Sequence, residues 1–397
     1  MSGVTAGRTI LVTLAGDDRP GVTRTLFRAL TDHPVTVLDI EQMVVRGRLV
    51  LAFLLGQVEH ADEEHLSQSL RHAAASLDME ITVVAGADLD DQRRHNRVHV
   101  TVMGVPLRPE AVATIAATIA DHGGNIDRIR RIASYPVTAL VFEASGASVD
   151  ALRYPLAEVA ARTSCDIAVQ RKELDRRGQH LVVMDVDSTL IQNEVIDLLA
   201  DEAGVGQQVQ AITQRAMQGE LDFEQSLRAR VSLLAGLDET ALARVRDRVT
   251  LTPGARTLCR TLTRLGFRIA LVSGGFYEVV EPIARELGVD HVRANVLEIC
   301  DGRLTGNVVG PVVDRLGKRR ALEEFAAENE IPLSRTIAIG DGANDIDMLV
   351  RAGLGIAFNA KPVTRAAADT ALNVPYLDSV LFLLGITREE IEDADAQ

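Results

Sequence analysis

An internal repeat constrains this chain more than any other feature. The stretch VTLAGDDRPGVTRTLFRALTDHPVTVLDI, from Val12, lies over VTVMGVPLRPEAVATIAATIADHGGNIDRI, from Val100. Gly16 then matches Gly104, Pro20 matches Pro109 and Asp39 matches Asp127, an offset of 88 or 89. In each copy an apolar strand runs into a Gly/Pro turn that opens a helix. Two alternating strands follow, Val35–Arg46 and Leu49–Glu59 in the first copy, Asn125–Ala133 and Val137–Ala144 in the second. A second helix and a last strand, near Ile81–Val84 and Ile167–Val169, close each unit. The predicted order is βαββαβ, an antiparallel ferredoxin-like sheet with its helices on one face.

At about 150 residues per domain, 397 residues predict two or three domains. The polar segment RKELDRRGQH, Arg171–His180, suits a boundary. Beyond it apolar strands alternate with helices, as in a parallel sheet: Leu181–Val186, Phe267–Gly275 and Thr336–Gly342. Each carries polar residues at its C-terminal end, where open α/β sheets bind ligands. A mostly helical stretch, about 193–249, interrupts this rhythm and reads as an inserted cap. The expected division is a first module at 1–90, a second at 91–174, and a Rossmann-like α/β domain with helical cap at 175–397.

Charge narrows the partners. Forty-two Lys and Arg against 56 Asp and Glu give 42 − 56 = −14, a surface that repels nucleic acid and anionic membranes. Any phosphate site must therefore be locally positive or metal-loaded. Cys165, Cys259 and Cys300 give neither a disulfide framework nor a zinc spacing. The longest apolar run, near Leu49–Leu55, is strand-sized, and MSGVTAGRTILV lacks signal-peptide features, so a cytoplasmic protein is expected.

Chemistry collects at four places. DVDSTL, Asp185–Leu190, sets two carboxylates one residue apart at a strand end. Like charges about 4 Å apart repel by roughly 4 kcal/mol at an effective dielectric near 20, so a cation or proton must offset them. Ser273–Gly275 again closes a strand before a helix, where backbone N–H groups can approach an anion. Lys318 opens a helix; alone it reads as a solvated charge, beside the carboxylates as a phosphate ligand. GDGANDIDML, Gly340–Leu349, puts Asp341, Asn344 and Asp345 on one loop, an oxygen set for a hard dication.

Together the order DxDST, SG, K, GDGxND resembles the haloacid-dehalogenase-like phosphatases across all four of their motifs. Glu194, Phe223 and Arg230 in the cap make it similar to the phosphoserine phosphatase branch, over roughly Gln179–Leu384. The two leading modules resemble ACT domains, small regulatory units that bind amino acids, although the second has Glu110 where the first has Gly21. The resemblance implies Asp185 as nucleophile and Asp187 as general acid and base. It also implies Mg²⁺ held by Asp185, by the Asp187 backbone carbonyl and by Asp341. Ser273, Gly274, Lys318 and Asn344 would bind or orient the phosphoryl group, with Ser188 and Asp345 in support. Glu194 suits the substrate ammonium and Arg230 its carboxylate, with Phe223 as the lid and Met217 as a further pocket residue. L-Serine is the implied effector, with Gly16, Asp18, Gly104 and Asn125 as candidate positions, and a homodimer is expected. Two other readings stay open: a phosphatase for another small phosphomonoester, and an amino-acid-sensing regulator with a vestigial phosphatase fold.

Overall fold

In the computed structural model, which describes residues 8–58, 62–86, 96–171 and 180–395, the repeat folds twice into the same order. The first copy runs β1 (Arg8–Asp17), α1 (Val22–Arg28), β2 (Thr36–Val45), β3 (Arg48–Val58), α2 (Glu63–Ser76) and β4 (Glu80–Ala85). The second runs β5 (Val98–Gly104), α3 (Pro109–Asp121), β6 (Asn125–Ala133), β7 (Thr138–Ser145), α4 (Val149–Thr163) and β8 (Asp166–Arg171). Both sheets are antiparallel, with the equivalent orders β2-β3-β1-β4 and β6-β7-β5-β8.

The chain divides into two compact units, Met1–Arg93 and Arg94–Gln397. In the first, alternate residues of β1 (Ile10, Val12, Leu14) point inward onto Leu26 of α1 and Leu66 and Leu70 of α2. The other face of that sheet exposes Leu11, Val50 and Val84. The second module packs differently. Val98, Val100 and Val102 face its own helices, while Met103, Ala139, Val141 and Ala168 enter the core of the α/β region. Topology repeats between the copies and packing does not. Strand β5 is buried along nearly its whole length on both faces, although His99 and Thr101 alternate with its valines as in a half-exposed strand.

The α/β region starts with β9 (Leu181–Met184), after residues 172–179 of the expected boundary, which lie outside the described residues. The cap follows as α5 (Val195–Glu202), α6 (Gly206–Met217), α7 (Phe223–Ser232) and α8 (Thr240–Arg248). Next come α9 (Ala255–Arg264), β10 (Arg268–Phe276), α10 (Tyr277–Leu287), β11 (His291–Cys300), β12 (Arg303–Val309) and α11 (Arg315–Glu328). The chain ends through β13 (Thr336–Gly340), α12 (Ile346–Arg351), β14 (Leu354–Phe358), α13 (Pro362–Ala367), β15 (Thr370–Leu372), α14 (Val380–Leu383) and α15 (Arg388–Asp395). The sheet order is β12-β11-β10-β9-β13-β14-β15, parallel except at β12.

Strand β9 is fully buried and splits its side chains between two layers. Val182 and Met184 join the cluster containing α5 and α9, and Leu181 and Val183 join the one containing α11 and α12. Each such aliphatic side chain contributes about 1.5–3 kcal/mol of burial, which fixes the strand's height and hence that of its C-terminal residues. Because β10 and β13 flank β9 on opposite sides, their three C-terminal ends meet at a topological switch point. Among the described residues no helix is long and apolar enough to cross a membrane, and all three cysteines are free.

A buried carboxylate joins the second module to the far edge of this sheet. Asp166, at the start of β8, accepts hydrogen bonds from Asn373 N (2.7 Å), Asn373 Nδ2 (2.7 Å) and Val374 N (3.1 Å), just past β15. Thr370 Oγ1 donates to Ile167 O, and Arg153 pairs with Asp369 at 2.9 Å.

Candidate active site

Strand β9 ends two residues earlier than its apolar run predicts, because the chain turns sharply at the acidic pair. The turn spans Val186–Leu190, with Ser188 in the left-handed region at φ 58°. It swings Asp185 and Asp187 to different sides. Asp185 is 4% exposed, and its Oδ1 accepts from Val186 N (2.7 Å) and from the Lys318 ammonium (2.7 Å). Among the described residues Oδ2 carries no such bond. Asp187 instead turns toward the cap, where Oδ1 accepts from Val195 N (2.8 Å) and Oδ2 from the Ser273 hydroxyl (3.0 Å).

Lys318 is the clearest departure from the bland expectation of a solvated charge. It sits in the first turn of α11, whose Asp314 cap accepts from Gly317 N, and is 1% exposed. Its Nζ also meets Asp345 Oδ1 at 2.6 Å. Burial alone would lower its pKa, but Asp185 and Asp345 outweigh that and hold the ammonium above the usual lysine range.

Asp345 is committed on both oxygens, since Oδ2 accepts from Gly342 N at 2.9 Å. Its close approach to β13 requires Gly340: a Cβ there would lie 2.5 Å from the Asp345 carboxyl carbon. Among the described residues Asp341 receives one side-chain hydrogen bond, from Thr189 Oγ1 at 3.2 Å. One carboxylate oxygen from each of Asp185, Asp341 and Asp345 lies within 4.8 Å of the other two, an all-oxygen donor set that fits a hard dication. Among the described residues Asp185 and Asp341 each keep an oxygen free for it, whereas Asp345 is spent on Lys318 and the loop. The crowding is visible in the acidities. Burial and then Asp345 push Asp185 well up and raise Asp341 to about 6, while burial raises Asp187 against the pull of its two donors.

On β10, the Ser273 hydroxyl donates to Asp187 and accepts from Gly275 N at 2.8 Å. Gly275 has to be glycine, because a Cβ would sit 2.7 Å from Asp187 Oδ2. Over this loop lies the cap: a Cβ on Gly274 would meet Phe223 Cζ at 3.1 Å. Glu194, just before α5, accepts from Ser188 Oγ at 2.7 Å. Although part of its side chain reaches solvent, burial and then Asp187 push its carboxyl up to about 7. Arg230 on α7 donates to Ser226 O and lies within electrostatic reach of Asp197, Glu194 and Asp187. The Met217 side chain lies outside the described residues.

The structure thus gathers Asp185, Asp187, Ser188, Glu194, Phe223, Arg230, Ser273, Gly274, Lys318, Asp341 and Asp345 around the ends of β9, β10 and β13. Asn344 belongs to the same loop, its Oδ1 pressed against Gly342. Two contributors escaped the sequence reading. Thr189, fully buried, orients Asp341; it is the last letter of the DxDST motif and so was visible, though without a role. Asn295 gave no signal inside the strand VRANVLEI.

The four candidate effector positions do not group in the same way. A 400 Å³ cavity in the first unit is lined by Asp18, Arg19, Gly21, Thr23, Arg24 and Gln42, among others. Gly16 is outside that lining and faces Met79, which a Cβ would approach to 2.7 Å. Gly104 packs against Leu107 and Cys165, and Asn125 Nδ2 donates to Asp127 Oδ1.

Comparison with known proteins matches three successive segments of the chain. ACT-domain families match residues 8–84 and 97–170, and the haloacid dehalogenase-like hydrolase family matches residues 182–350. The chain is 56% identical to a phosphoserine phosphatase of Streptomyces coelicolor, over 98% of this chain and 94% of that one. It is 50% identical to the phosphoserine phosphatase SerB2 of Mycobacterium tuberculosis, over 98% and 95% of the two chains. Among solved structures, an unliganded probable phosphoserine phosphatase from Vibrio cholerae matches with a TM-score of 0.59 at 34% identity, covering 74% of this chain and 88% of that one. A pocket of carboxylates around one buried lysine, matched by relatives almost end to end, leads to one assignment: this chain belongs to the phosphoserine phosphatase family of haloacid dehalogenase-like hydrolases, with two ACT domains preceding the hydrolase domain.

Proposed function

We propose that this chain hydrolyses O-phospho-L-serine to L-serine and phosphate, with Asp185 as nucleophile and a bound Mg²⁺. One observation carries the reading. An Asp185 oxygen without a partner among the described residues stands beside a buried, cationic Lys318, with an acidic and a basic side chain, Glu194 and Arg230, on the cap above. Asp185, the Asp187 backbone carbonyl and Asp341 would hold the metal. When bound it offsets the acidic cluster and draws charge from the phosphoryl oxygens.

In the first step an Asp185 oxygen bonds to phosphorus as the phosphorus–serine oxygen bond breaks. Asp187 gives its proton to the departing serine oxygen, leaving an aspartyl-phosphate. Burial raises the Asp187 pKa, a shift in the direction a general acid needs. In the second step Asp187 takes a proton from water, whose oxygen bonds to phosphorus; phosphate leaves and the Asp185 carboxylate returns. The Ser273 hydroxyl, the Gly274 N–H and Lys318 hold the transferring oxygens, Asn344 orients the phosphoryl group, and Asp345 keeps the loop and lysine in place. Phe223 covers the cradle and excludes water. Glu194 and Arg230 select a free amino acid.

Phosphate release from phosphoserine tests this directly. Asp185→Asn is expected to abolish both turnover and beryllofluoride labelling, and EDTA to stop turnover until Mg²⁺ is restored. Near-normal activity in Asp185→Asn refutes the nucleophile. Glu194→Gln is expected to raise KM for phosphoserine strongly; an unchanged KM favours another small phosphomonoester as substrate.

ACT domains point to amino-acid binding, and the cavity beside Asp18 supports L-serine as a feedback effector; a homodimer is the proposed assembly. Asp18→Ala is a cleaner probe than Gly16→Ala, which disturbs Met79 with or without a ligand. Unaltered serine inhibition in Asp18→Ala refutes this site.

A further inference from the structure

Between β10 and β11 the parallel register slips. Val272 pairs with Arg293 and Phe276 with Asn295, so the stretch Ser273–Gly275 bulges out of the ladder. Backbone pairing with β11 is lost where the anion cradle forms. One side chain takes its place. Asn295 is 1% exposed and uses both ends of its carboxamide: Nδ2 donates to Gly274 O (2.8 Å), and Oδ1 accepts from Val313 N (2.8 Å).

The first bond fixes a peptide. The Gly274 carbonyl is held by Asn295 and the adjoining Gly275 N–H by Ser273 Oγ, so the Gly274–Gly275 unit is pinned at both ends. The same hydroxyl reaches Asp187. The second bond holds the residue before Asp314, the cap of α11, one turn ahead of Lys318. A single amide therefore ties the two segments that bring the Ser273–Gly274 cradle and the lysine together. It needs one donor and one acceptor, a requirement aspartate fails because its second oxygen would face the Gly274 carbonyl.

We propose that Asn295 is a positioning residue that sets the separation of the Ser273–Gly274 cradle from Lys318, and so acts on the transferring phosphoryl group rather than on the amino-acid end of the substrate. The inference rests on the phosphatase reading above. Displacements near 1 Å at such a cradle cost up to about 100-fold in rate. Asn295→Asp and Asn295→Ser are expected to lower kcat by roughly 10- to 100-fold and to weaken inorganic phosphate binding about tenfold, with KM for phosphoserine changing less than about threefold.

The experiment measures kcat, KM, phosphate binding by calorimetry and melting temperature for both variants, with Leu258→Ala, a core truncation on α9, as the stability control. A purely structural role predicts that the control, once matched in melting temperature, loses as much kcat; that result overturns the inference. So does a kcat within twofold of wild type in either folded variant, or phosphate binding unchanged in both. Should wild type leave phosphoserine intact yet bind phosphate, the substrate reading fails by itself. The phosphate-binding comparison then still decides the role of Asn295.

Discussion

Lys318→Met removes the only cation in direct contact with the buried acidic cluster among the described residues, and its cost can be worked from the geometry. The ammonium stands 2.7 Å from Asp185 and 2.6 Å from Asp345. At an effective dielectric near 20, each pair is worth about 6 kcal/mol of gross attraction, largely offset by desolvating three charges. Removing one partner forfeits the attraction while the carboxylates stay buried, so the net loss is expected at about 3–5 kcal/mol. For a unit of this size that is on the order of 10 °C in melting temperature. The assay is thermal unfolding with EDTA at pH 5 and pH 8. Without the lysine the folded carboxylates bind protons more tightly than the unfolded ones, so stability is kept at low pH and lost as pH rises. The deficit should therefore be larger at pH 8, and Mg²⁺ should recover more of it than it adds to wild type. A deficit below about 1 kcal/mol, or one equal at both pH values, refutes the argument.

Wild-type protein in EDTA should lose stability as pH climbs from about 4 to 7. Asp341 is raised from 3.8 to about 6 and Glu194 from 4.5 to about 7, so the folded state holds protons the unfolded state has released. A flat or rising melting temperature over that range contradicts the acidic crowding. Asp166→Ala leaves three donors at Asn373 and Val374 without their acceptor and is expected to cost about 2–4 kcal/mol in the unfolding of the second unit, read by chemical denaturation. Gly275→Ala drives a methyl group against Asp187 and should lower kcat more than about tenfold while the circular dichroism spectrum is retained. A kcat within twofold of wild type would show that the loop yields without moving Asp187.

The phosphatase site was legible because its chemistry is local in sequence. Asp185, Asp187 and Thr189 occupy one turn, and Asp341 and Asp345 one loop; each short motif ends a strand, and strands in a doubly wound sheet deliver their ends to one place. The residues by themselves did not supply the division of labour inside the cluster, which entered only as what the family resemblance implies. Asp341 and Asp345 are four residues apart and chemically identical. Only the bonds of Asp345 to Lys318 and Gly342 show that it is spent, while Asp341 keeps an oxygen free among the described residues. Asn295 was invisible for a related reason: its partners lie 21 and 18 residues away, joined through a register slip that no periodicity records.

The repeat illustrates the opposite limit. Equal spacing predicts equal topology, and the two modules share their strand order. Yet spacing says nothing about which face of a sheet meets solvent. In the first module alternation leaves Leu11, Val50 and Val84 outside; in the second Met103, Ala139 and Val141 turn the same face into an interior. The polar anchor of that interior is Asp166, a carboxylate with no counterpart in the alternation pattern, satisfied by backbone donors more than 200 residues downstream. Burying it is tolerable only because those donors are fixed at the end of β15. The second module and the sheet edge must therefore fold against each other to be stable, whereas the first unit closes its own core from its own helices.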